Sequence, residues 1–117
     1  FGEKFGVKAY SDYDALLDNN SLDVVSICTP SGMHAQQAIA AAKAKKHIVC
    51  EKPMALTLED CDNIIQAAAE NNIRLFVVKQ NRYNEPVLRL KDAIDKNKLG
   101  KLYMLSAHVL WNRTGQY

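Results

Sequence analysis

The chain has 117 residues, 48% of them apolar, and 15 basic against 13 acidic side chains give a net charge of +2. That length suits one domain with a real core, and so balanced a charge leaves no electrostatic footprint for nucleic acid. No apolar run approaches the roughly twenty residues a membrane helix needs, and the N-terminus lacks a cleavable signal pattern, so no membrane partner is expected. Cys28, Cys50 and Cys61 are odd in number and lack C-x-x-C spacing, which reads as buried free thiols in a reducing cytoplasm.

Val7 to Tyr10 suggests a strand, and Asp12 to Asp18 a short helix capped by Ser11 or Asp12. Leu22 to Cys28 is a β-branched run between Asn19-Asn20-Ser21 and Thr29-Pro30-Ser31-Gly32, the pattern of a buried strand ending in a loop. The alanine-rich stretch from Met33 to Lys46 predicts a helix, and His47 to Cys50 a second strand. Thr57 is placed to cap a helix with Asp60 three residues on, and Leu58, Cys61, Ile64, Ile65 and Ala68 recur at helical spacing. Arg74 to Val78 reads as a third strand, Pro86 to Asn97 as a helix, and Leu102 to Trp111 as a long strand.

Repeated strand-helix alternation with continuously apolar strands predicts a doubly wound α/β domain, a parallel sheet with helices on both faces. Ligands of such sheets bind outside the carboxyl ends of the strands, where Thr29-Pro30, Glu51-Lys52 and Lys79 to Arg82 fall. No G-x-G-x-x-G opens the chain, since Phe1-Gly2 precedes charged residues and Gly6 is solitary. About four strands with an abrupt N-terminus lead to the expectation that the chain is the middle of a longer polypeptide.

The run His47-Ile48-Val49-Cys50-Glu51-Lys52-Pro53 stops on a carboxylate, an amine and a proline. An amine at the end of a buried strand is expected to lose hydration, which favours its neutral form and suits it to proton transfer. The plainer alternative is an exposed lysine at a strand end. His34, His47 and His108 fall on separate elements, so no metal site is expected.

T-P-S-x-x-H at 29–34, H-I-V-C-E-K-P at 47–53 and Q-N-R-Y-N at 80–84 together resemble the Gfo/Idh/MocA oxidoreductases. The likeness runs from Val7 to Tyr117 and implies the C-terminal part of a Rossmann-like sheet, residues 1–99. Residues 100–117 would then begin an α/β substrate domain, with Leu102 to Trp111 as its first strand. It implies an NAD(P)-dependent dehydrogenase, with NAD and NADP both open, acting on a sugar or nucleotide-sugar hydroxyl or carbonyl carbon. A homo-oligomer, dimer or tetramer, is implied with it. The segments 80–84 and 110–113 look in addition like members acting on nucleotide-linked amino sugars, the UDP-N-acetylglucosaminuronate 3-dehydrogenases. The alternative within the family is a non-catalytic dinucleotide sensor or regulator; outside it, a module that only mediates assembly.

The resemblance makes Lys52 the catalytic proton-transfer residue and places Thr29, Pro30, His34, Glu51 and Pro53 around the cofactor. Pro53 matches a proline that often follows a cis peptide bond. Three of these have a plainer reading: Glu51 as an ion pair with Lys52 or Lys79, Pro53 as a strand stop, His34 as a capping or packing residue. Arg82, Trp111 and Arg113 are substrate candidates, through forked donors and an aromatic face suited to a sugar, although Trp111 equally suits interfacial core. Lys45 departs from the family's usual glycine, where a left-handed residue would close the preceding helix at a cost of about 1 kcal/mol. The glycine-rich turn and a second-domain D-x-x-x-H are expected outside these residues.

Overall fold

Three short apolar runs form the parallel strands β1 (Val24–Ile27), β2 (His47–Cys50) and β3 (Leu75–Val77), paired side by side in the order β1-β2-β3. The computed structural model describes residues 2–110, 112, 114 and 115. These form two compact units, Phe1–Lys79 and Gln80–Tyr117.

In the first unit, α1 (Gly2–Phe5) and α2 (Tyr13–Leu17) precede β1, α3 (His34–Lys43) joins β1 to β2, and α4 (Leu58–Glu70) joins β2 to β3. Val25 pairs in register with Ile48 and Ile48 with Leu75, while Ile27 pairs with Cys50 and Cys50 with Val77. Register partners point to the same side of a sheet. Val25, Ile27, Ile48 and Cys50 are buried in one cluster with Ala38, Ala41, Ala42, Ile64 and Ala67 of α3 and α4. The alanines let the two helices approach each other and the sheet closely, which puts Ile48 and Ile64 at complete burial.

The opposite sheet face carries Val24, Ser26, Val49 and Phe76, of which Val24 is 50% and Phe76 54% exposed. Helices on both faces were expected; among the described residues the buried cluster lies on one face only. The continuous apolar character of the strands is nonetheless that of a sheet covered twice.

Helix ends follow local chemistry. The Asp12 carboxylate accepts from the Ala15 N–H at 2.9 Å to cap α2, and the Thr57 hydroxyl oxygen accepts from the Asp60 N–H at 3.0 Å to cap α4. α3 closes with Lys46 N–H donating to Ala41 O at 3.0 Å and Lys45 N–H to Ala42 O at 2.9 Å, a Schellman closure with Lys45 at φ 58°. Lys45 therefore keeps the left-handed geometry its family position calls for, without a glycine. Asn72 and Asn97 take the same conformation, at φ 54° and 52°, to end α4 and the helix over Glu85–Asp95.

In the second unit a 3-10 turn at Gln80–Tyr83 leads into α5 (Glu85–Asp95), braced by Arg89–Glu85 at 2.7 Å and Lys91–Asp95 at 2.6 Å. Two expected strands are not found among the described residues. Residues 7–10 are irregular, with Val7 N–H bonded back to Gly2 O at 3.1 Å, and residues 102–110 are extended or irregular without a ladder. A strand exists through its neighbour's hydrogen bonds, and among the described residues neither segment has one.

Candidate active site

Because the three strands are parallel, their carboxyl ends share one edge. One hydrogen bond continues the ladder past each pair, Glu51 N–H to Ile27 O at 2.9 Å and Val78 N–H to Cys50 O at 2.8 Å. The loop after β1, carrying Thr29 and Pro30, thus lies beside Glu51, Lys52 and Pro53 after β2.

His34 joins these two loops. It is the first residue of α3, entered through a 3-10 turn at Ser31–Met33, and its side chain is only 1% exposed. Its Nδ1 is 2.8 Å from Pro53 O and its Nε2 2.8 Å from Thr29 O. The sequence reading had this ring approaching a cofactor; the structure encloses it, with both nitrogens engaged by backbone carbonyls. The 3-10 turn before α3 makes His34 the first residue of that helix, within reach of both loops.

The Lys52–Pro53 peptide is cis, as the family position implied. Lys52 is exposed, not desolvated as expected, because the ladder ends at the Glu51 N–H and Lys52 lies beyond the sheet. The Glu51 carboxylate, half-buried, accepts from the Lys52 backbone N–H at 3.1 Å, and among the described residues it forms no ion pair. Thr29 and Pro30 are exposed, and the Thr29 hydroxyl donates to Gln37 Oε1 at 2.6 Å.

Two neighbours escaped the sequence reading. Gln37 holds the Thr29 hydroxyl, and its carbonyl accepts from the Tyr13 hydroxyl at 3.0 Å; its place three residues after His34, on the same helix face, is the signal that pointed to it. Cys50, fully buried, sets its Sγ 3.4 Å from Glu51 O. Burial first, then the nearness of Cys28 and Glu51, pushes its thiol above the ordinary value of 9.0. Burial, with Asp14 and Cys50, also raises the Tyr13 phenol.

Arg82 lies exposed in the 3-10 turn of the second unit, while Trp111 and Arg113 fall outside the described residues. Among the described residues no group of three His, Cys, Asp or Glu side chains could hold a metal ion, and no helix is long and apolar enough to cross a membrane.

A parallel sheet with a carboxylate, an amine and a proline at the end of β2 is what the Gfo/Idh/MocA resemblance implies. Residues 1–79 match the profile of that family, described as an oxidoreductase family with an NAD-binding Rossmann fold. The chain belongs to this family. It is 38% identical to myo-inositol 2-dehydrogenase of Thermotoga maritima over 104 residues, 88% of this chain and 31% of that protein. The WlbA dehydrogenase of Bordetella pertussis, solved in complex with NADH and UDP-GlcNAcA, is similar at 39% identity and a TM-score of 0.81, over 87% of this chain and 30% of that one. Levoglucosan dehydrogenase, solved with NADH and levoglucosan, is 37% identical with a TM-score of 0.79, over 86% of this chain and 27% of that one. The chain thus spans under a third of the length of these relatives. Of the two dinucleotides left open, the family description and these complexes name NAD.

Proposed function

We propose that this chain is part of an NAD-dependent dehydrogenase that oxidises a sugar or nucleotide-sugar hydroxyl, or reduces the matching carbonyl. The observation that carries this is the shared edge of Thr29-Pro30 and Glu51-Lys52-Pro53, from adjacent parallel strands. The donor set fits a dinucleotide. The Glu51 carboxylate can accept from ribose hydroxyls, Thr29 and Pro30 offer an exposed surface for the adenosine half, and Pro53 shapes the turn between β2 and α4. A bound NAD would supply the acceptor for the hydride of the carbinol carbon. Lys52 Nζ, as the neutral amine, would take the hydroxyl proton as the carbonyl forms, and as the ammonium would return it in the reverse direction. The exposure of Lys52 suits a group that must meet a substrate.

The relatives' names span inositol, levoglucosan and UDP-GlcNAcA, which supports a polyol, sugar or nucleotide sugar as substrate. Arg82, Trp111 and Arg113 are retained as its contacts. The reading includes a domain border near Gly100, whose φ of 62° turns the chain after α5, and a homo-oligomer. It also includes a reducing cytoplasm, suited to three free cysteines. The test is nicotinamide absorbance followed with the full-length protein, NAD and a panel of polyols, sugars and UDP-sugars. Reduction of NAD by at least one of them is expected. NADH binding with no turnover on any would replace the enzyme by a sensor.

A further inference from the structure

We infer that His34 is a positioning residue that sets the spacing between the two loops of the site, and through it the placement of Lys52. The inference rests on the NAD-dehydrogenase reading above. Among the described residues the β1–β2 ladder ends with Glu51 N–H on Ile27 O. Beyond that point both hydrogen bonds crossing toward the second loop run through the His34 ring, Nε2 to Thr29 O and Nδ1 to Pro53 O, each 2.8 Å.

Both partners are carbonyl oxygens, which only accept, so the ring serves them by donation from whichever nitrogen carries its proton. The ring is 1% exposed, so water is poorly placed to take over either carbonyl, and a lost donor leaves a buried acceptor unpaired. The anchor points matter more than the bond count. Thr29 begins the loop assigned to the adenosine half, and Pro53 directly follows Lys52. One imidazole, rooted in the first residue of α3, thereby holds the cofactor side and the proton-transfer side in one frame. Misplacing a reacting group by about 1 Å costs on the order of a hundredfold in rate, so a clamp at this position is read out in turnover and not in stability alone.

The experiment measures NADH affinity and kcat at saturating NAD and substrate for wild type, His34→Leu and His34→Gln in the full-length protein, well below each melting temperature. Leucine fills space without donating; glutamine restores an amide donor. The inference expects His34→Leu to weaken NADH binding by about tenfold and lower kcat by at least about tenfold, with His34→Gln between it and wild type. Variants that melt earlier yet keep kcat and NADH affinity within about twofold would reduce His34 to a core plug and overturn the inference. Should His34→Leu fail to fold, His34→Gln decides by the same criterion. A wild type that binds no NADH would overturn the cofactor reading and this inference together; wild-type binding with unchanged variants overturns the inference alone.

Discussion

The Lys46 ammonium donates to the Asn19 backbone carbonyl at 2.9 Å while the residue is only 7% exposed, tying the end of α3 to the turn before β1. Its aliphatic stem lies in the interior and its head reaches one acceptor. Lys46→Met keeps the stem and deletes the donor, and is expected to cost about 1 kcal/mol. Urea unfolding of the two proteins checks it; equal midpoints would show that the bond contributes nothing.

Lys45 occupies the left-handed region at φ 58° to close α3. A side chain there costs about 1 kcal/mol relative to glycine, partly offset by the freedom glycine gains in the unfolded chain. Lys45→Gly is expected to stabilise the protein by about 0.5 kcal/mol, and Asn72→Gly by less, because asparagine tolerates this conformation. Thermal melting of both variants ranks them.

Ile64 of α4 is fully buried against a helix whose facing residues are alanines. Such neighbours have no side chain with which to fill a void, so Ile64→Ala is expected to cost about 2–5 kcal/mol. Ile65, next in sequence and 53% exposed, is expected to tolerate alanine at under about 1 kcal/mol. Paired denaturant titrations measure the difference.

Cys50 is a buried thiol with its pKa raised, chiefly by burial, while Cys28 is exposed. A raised folded-state value means the fold favours the protonated thiol. Cys50 therefore supports stability in full below pH 9.0 and loses that contribution as the pH climbs through the folded value. Iodoacetamide at pH 8 is expected to modify Cys28 well before Cys50, as read by peptide mass spectrometry. Simultaneous labelling of the two in the folded protein would contradict the burial.

Much of the first unit was legible in the sequence because its signals are local. Thr57 caps as read, Asp12 is the cap of the two residues offered for α2, His47 to Cys50 is a strand from end to end, and Glu51-Lys52-Pro53 falls at a strand end. The misreadings share one physical origin. Val7 to Tyr10 and Leu102 to Leu110 carry strand-like composition, but strand formation depends on a partner that composition does not supply. The packed environment of His34, one of the two readings open in the sequence, could not be chosen there, since its carbonyl partners stand five residues before it and nineteen after it. No periodicity encodes that meeting. Lys52 was expected to be desolvated from the apolar run before it, yet exposure is set by where the ladder stops.

The account turns on Lys52 as the proton-transfer group. Its most direct test compares Lys52→Ala with wild type in the full-length protein, measuring NADH affinity by fluorescence titration and kcat on the best substrate of the sugar panel. The account predicts affinity within a few-fold and kcat lower by about 10²–10⁴. Unchanged kcat in Lys52→Ala would contradict it and move the proton transfer to another residue.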